Sequence, residues 1–178
     1  MKAWVNATLP MNPAWKRART RGLLDQLDWF ESQGIEPHYL AYLWPQRLVR
    51  DVQKRATVTL SRARTSFPEA RNWQLNELFT SNEAWGLLVD DDAIFDTEPN
   101  RIRGNPVEWL QSGKDFPGVD IFIPVSEHVR GAGAWTRWFD TEESEEIWWF
   151  ERVTNFKGSF IFVRNLQDTK DKPRCPKI

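Results

Sequence analysis

Residues 66–92 read SFPEARNWQLNELFTSNEAWGLLVDDD, and the fold class turns on how this stretch divides. Ser66 and Glu69 stand at the spacing of a capping box, so a helix opens here. Ala70, Leu75, Leu78 and Phe79 supply its buried side as far as about Thr80. Ala84 to Val89 (AWGLLV) is a continuous apolar run of strand length, which suits a central strand covered on both faces. The run ends in Asp90-Asp91-Asp92. A helix feeding a buried strand with charge at its carboxyl end is a unit of an open α/β sheet, whose ligand crevice lies beyond the strand ends.

The same alternation precedes it. Residues 3–9 (AWVNATL) pattern as a strand ended by Pro10; Asn12 offers an N-cap with Pro13 at the first helical position, and Leu23, Leu24, Leu27 and Phe30 recur at helical spacing until Gln33-Gly34. Glu36 to Leu43 reads as a second strand, Leu48, Val49, Val52 and Ala56 share one helical face, and residues 56–60 (ATVTL) read as a short third strand. Downstream, Asn105-Pro106-Val107-Glu108 resembles a capped helix start. Residues 119–125 (VDIFIPV), 147–153 and 159–163 (SFIFV) pattern as strands, so the second half is expected to be more β-rich and to add mixed or antiparallel strands. The expectation is an α/β fold with a mixed, Rossmann-like sheet and helices on both faces, forming a single domain over residues 1–168 with a frayed tail at 169–178.

Composition bounds the function. At 178 residues the chain can bury a core without disulfides or a structural metal, and Cys175 has no partner, as in a reducing compartment. Asn6, Thr8, Pro10 and Asn12 interrupt any apolar leader, and no apolar run reaches the roughly 18 residues of a membrane span; a cytoplasmic protein without membrane insertion is expected. The net charge of −1 hides an asymmetry. Residues 1–80 carry 12 Lys+Arg against 7 Asp+Glu, and the remainder 12 against 18. The basic half suits a phosphate-bearing ligand or a polyanionic or nucleic-acid acceptor, and equally a solvated basic helix. Of the 11 tryptophans, Trp135, Trp138, Trp148 and Trp149 cluster among acids, where packing and stacking on a ligand ring are both open readings.

Like carboxylates in series raise one another's pKa unless a cation sits among them. Asp90 and Asp92 are therefore candidate ligands for Mg2+ or Mn2+, hard ions that keep positions open for phosphate oxygens; a solvated, helix-capping loop is the plain alternative.

Residues 70–92, with the triplet Ala70-Arg71-Asn72 opening a helix and an apolar strand delivering Asp90-x-Asp92, resemble the inverting GT-A glycosyltransferases, especially family 2. The strand, Pro10 loop and helix of the N-terminus are similar in outline, and Lys157 to Arg164 (KGSFIFVR) resembles the glycine-led strand that follows the DxD motif there. The resemblance implies a compact GT-A-like domain and a metal-dependent transferase that uses a nucleotide-sugar donor. Ala7 and Thr8 would touch the nucleoside, Arg71 and Asn72 the nucleotide or donor sugar, and Asp90 and Asp91 the donor. Asp90 and Asp92 would hold the metal, Asp92 being the catalytic residue. The acceptor is unspecified: saccharide, protein or modified nucleobase.

The chain departs from that pattern in two places. The acidic dipeptide that normally supplies the general base has no counterpart, leaving Glu127, His128 or the run Glu142, Glu143, Glu145 and Glu146 as candidates, or no base at all. The acidic contact after the second strand is replaced by Leu43-Trp44-Pro45-Gln46, where Trp44 could stack on a nucleobase. Two competing readings use the same residues. In a haloacid-dehalogenase-type phosphohydrolase Asp90 would be the nucleophile and Asp92 the acid, although that motif normally lies on the first strand. A GT-A-like binding or accessory module would lack catalysis.

Overall fold

The structure is a computed structural model that describes residues 1–91, 121–122 and 160–165. The strands are β1 (Lys2–Thr8), β2 (Glu36–Tyr42), β3 (Thr57–Leu60), β4 (Trp85–Asp90), β5 (Ile121–Phe122) and β6 (Phe160–Arg164). Helices α1 (Pro13–Ser32), α2 (Gln46–Val52) and α3 (Phe67–Thr80) separate the first four strands. They form one mixed sheet in the order β3-β2-β1-β4-β6-β5. β1, β2, β3 and β4 run parallel, whereas β6 is antiparallel to both β4 and β5.

Local chemistry accounts for the element bounds. Asn12 Oδ1 accepts the amides of Ala14 and Trp15 at 3.0 and 3.3 Å, and Pro13 opens α1 with its φ already set. The helix ends where Gly34 takes φ 62°, a left-handed conformation that costs glycine little. In α3 the capping box is complete: Ser66 Oγ accepts the Glu69 amide and Glu69 Oε2 accepts the Ser66 amide. α2 is shorter than its apolar spacing suggests. It stops at Val52, and Ala56 lies in the turn before β3 rather than on a helical face.

The strand order places the helices. β1-α1-β2-α2-β3 builds outward in one direction, and the chain then crosses back past β1 to lay down β4. Right-handed crossovers therefore put α3 on the face opposite α1 and α2. Two apolar layers follow. Ala3, Val5, Ala7, Leu87 and Val89 face Leu23, Leu27, Phe30, Leu48 and Val52 on one side. On the other, Trp4, Leu88, Ile161 and Val163 pack with Leu75, Leu78 and Phe79. Gly86 sits where β4 meets α3, and a Cβ there would fall 2.4 Å from the Trp4 ring and 2.7 Å from Leu78 Cδ1.

The sequence expectation of an α/β mixed sheet with helices on both faces holds for the described residues, with β6 as the antiparallel addition beside β4. The helix start at 105–108, the strand at 147–153, most of the strand at 119–125 and the tail at 169–178 lie outside those residues. Among the described residues no helix is long and apolar enough to cross a membrane.

Candidate functional site

The strand order reverses between β1 and β4, the topological switch point at which open α/β sheets leave a crevice beyond the strand ends. Asn6 and Asp90 are register partners at that point. Three helical side chains converge on it. Arg71, in the first turns of α3, is 4% exposed; its Nη2 donates to Asp90 Oδ2 at 3.2 Å and its Nη1 to Gln74 Oε1 at 2.7 Å. Gln74, fully buried, donates from Nε2 to the carbonyls of Trp4 (2.7 Å) and Val89 (2.9 Å), one on each central strand. From the opposite face, Gln26 Nε2 donates to the Asp90 carbonyl at 3.2 Å.

Asp91 is held separately. Its Oδ2 accepts the Thr8 amide at 3.0 Å and its Oδ1 pairs with Arg19 Nη1 at 3.3 Å, while its own amide donates to the Asn6 carbonyl. Adjacent aspartates thus receive different guanidinium groups from opposite faces of the sheet, Arg71 from α3 and Arg19 from α1. Two of the three carboxylates are therefore neutralised without any metal, which modifies the expectation that the run as a whole calls for a cation.

The predicted residues fall into three groups. Asp90 and Arg71 meet in the crevice, with the Asp90 side chain 23% exposed. Arg71 pairs with Asp90. Asn72 is half-buried one position further along α3. The second group braces the strand ends: Ala7 is fully buried and its carbonyl accepts the Trp44 indole N–H at 3.2 Å, and Thr8 and Asp91 are joined to each other. Trp44 itself is a core residue, tilted against Tyr39 with ring centroids 5.5 Å apart, so it has no open face for stacking on a base. The third group, Asp92 and the base candidates Glu127, His128, Glu142, Glu143, Glu145 and Glu146, lies outside the described residues, as do Trp135, Trp138, Trp148 and Trp149.

Sequence reasoning missed Gln26, Gln74 and Arg19. Gln26 occupies a core position of the α1 repeat Leu23-Gln26-Leu27-Phe30, and Gln74 the matching position of Arg71-Gln74-Leu75-Leu78. A lone amide within a helix's apolar stripe was the available signal.

Among the described residues no group of three or more His, Cys, Asp or Glu side chains forms a metal cluster. Asp90 nonetheless fits a hard-cation ligand chemically: a partly exposed carboxylate at the crevice, with a neighbouring aspartate next but one in sequence. No protein-family model matches the chain, and a search of curated proteins returns no significant match.

Proposed function

We propose that the chain is a nucleotide-sugar-dependent glycosyltransferase of the GT-A type, its donor lying across the carboxyl ends of β1 and β4. The observation that carries this reading is the placement of Asp90, the first residue of the Asp90-x-Asp92 motif, at the sheet's switch point with a buried guanidinium beneath it. Supporting it, the strand of the KGSFIFVR segment lies antiparallel beside the aspartate-bearing strand.

Within this reading Arg71 is a positioning residue. Buried and bonded to Gln74, it holds one oxygen of the Asp90 carboxylate at the crevice, where that partly exposed group would meet ribose or sugar hydroxyls. Asn72, half-buried next to it in α3, would be a donor contact. Asp90 and Asp92 would hold Mn2+ or Mg2+, which supplies charge neutralisation for a departing diphosphate. The phosphohydrolase alternative needs Asp90 to attack phosphorus; a carboxylate held by Arg71 is a poorer nucleophile, and it sits on the fourth strand.

Because Arg71 and Arg19 give the aspartates structural partners, clustered charge alone does not separate a transferase from a binding module. Thermal unfolding of wild type and Asp92→Ala against nucleotide sugars and nucleoside diphosphates, with and without Mn2+, does so. The transferase reading predicts that one nucleotide raises the midpoint only with metal and only in wild type. At 100 times its Kd, such a ligand adds about 2.7 kcal/mol. A metal-independent shift shared by both proteins would instead mark a binding module, and no shift in wild type would remove the donor reading.

A further inference from the structure

Helix α1 aligns Trp15, Arg19 and Gln26 along one stripe, at separations of four and seven residues. Gln26 and Arg19 hold the Asp90–Asp91 strand end, so the stripe leads outward from the crevice to Trp15, which is 67% exposed. On the opposite side Phe67, 58% exposed, lies over Arg71 with 5.2 Å between its ring centroid and the guanidinium carbon. Two exposed aromatic rings therefore flank the crevice, one on each face of the sheet.

The charges around them follow the same geography. Lys16, Arg17 and Arg21 on α1, with Arg62 and Arg64 in the loop after β3, have no ion-pair partner among the described residues. That loop is tied to the crevice through Thr65 Oγ1, 3.4 Å from Asn6 Oδ1. Elsewhere Lys54 pairs with Asp51, Arg55 with Asp28 and Glu31, and the chain amine with Glu83, while Lys2, Arg47 and Arg50 have no ion pair among the described residues. The first turns of α1 hold cations and no acid, a placement that the helix dipole disfavours and α1's own stability does not explain.

We propose that this rim binds a single-stranded nucleic acid, with phosphates on Lys16, Arg17, Arg62 and Arg64 and unpaired bases stacked on Trp15 and Phe67. Charge complementarity selects a polyanion. The exposed rings select one whose π faces are available, which a duplex keeps stacked within itself and an acidic peptide or lipid headgroup lacks. The interface goes beyond the donor reading and does not depend on it: oligonucleotide binding without a nucleotide-sugar response would remove the transferase proposal and leave this one standing.

The test is fluorescence anisotropy of a labelled 20-nucleotide oligo-dT, its duplex counterpart and anionic phospholipid vesicles against the full chain, between 50 and 200 mM salt. Four phosphate contacts on single strands give a log–log salt slope near −2.8, so the affinity for oligo-dT falls about 50-fold over that range. Replacing Arg62 and Arg64 by Gln reduces the slope by about 1.4. Trp15→Ala weakens binding roughly 5- to 150-fold with the slope unchanged, the range for loss of one stacked base. Circular dichroism confirms that each variant is folded. Absence of oligo-dT binding by wild type at 50 mM salt would overturn the proposal. So would preference for duplex or vesicles, or binding that Trp15→Ala leaves unchanged.

Discussion

Replacing Arg71 by Met keeps the length of the side chain and removes the guanidinium. Asp90 Oδ2 then loses its 3.2 Å donor, and Gln74 Oε1, buried with its residue, loses its 2.7 Å donor. A hydrogen bond to a charged group contributes about 1.5–3 kcal/mol, and breaking a fully buried pair costs about 3–5 kcal/mol. Asp90 is 23% exposed and recovers part of its hydration, so the lower part of the range applies: about 2–3 kcal/mol. For a chain of this size that lowers the unfolding midpoint by roughly 5–10 °C. Urea denaturation of wild type, Arg71→Met, Asp90→Asn and the double variant isolates the pairwise contribution, which is expected to exceed about 1 kcal/mol with the m-value unchanged. Arg71→Lys does not restore it, because an ammonium cannot span Gln74 and Asp90 with a planar fork. Additive single variants, with coupling below about 0.5 kcal/mol, would refute the claim that this pair organises the crevice.

Three further outcomes follow from the packing and the caps. Gly86→Ala drives a methyl into the Trp4 ring and Leu78 and is expected to cost about 1–3 kcal/mol in urea denaturation, a neutral result contradicting the close packing of β4 on α3. Asn12→Ala removes the acceptor for the Ala14 and Trp15 amides and should cost about 1 kcal/mol, with Asn12→Ser recovering most of it. His38, whose Nδ1 lies 3.4 Å from Glu77 and whose Nε2 is 2.8 Å from Thr59 Oγ1, has its pKa pushed below the ordinary 6.5, chiefly by burial. The unfolded chain therefore binds the extra proton first, and the stability from neutral His38 is lost as pH falls through and below 6.5. The urea midpoint of wild type relative to His38→Gln should accordingly shrink between pH 7.5 and 5.5, and growth of that difference on acidification would contradict the assignment.

Much of the fold was legible because its signals are local. Asn12, Pro13 and Gly34 bound α1, the Ser66–Glu69 box starts α3, and the unbroken apolar run before Asp90 marks a strand buried on both faces. The site was legible only at its chemical centre. Asp90 and Arg71 stand 19 residues apart, and a motif joins them. The Arg19–Asp91 pair spans 72 residues and depends on α1 crossing the strand ends, which no local pattern encodes. Gln26 and Gln74 looked like flaws in amphipathic stripes, yet they donate to carbonyls of the two central strands, those of Asp90, Trp4 and Val89. Trp44 misled for the converse reason: its position after β2 suggests a ligand platform, but its indole N–H finds the Ala7 carbonyl and the ring completes the core.

Donor turnover tests the central claim most directly. Wild type and Asp92→Ala are incubated with each nucleotide sugar of a donor panel in Mn2+, and free nucleoside diphosphate is followed as water takes the place of the acceptor. The account predicts slow, metal-dependent release from one donor by wild type and its loss in Asp92→Ala. Release by wild type that matches Asp92→Ala for every donor would contradict it.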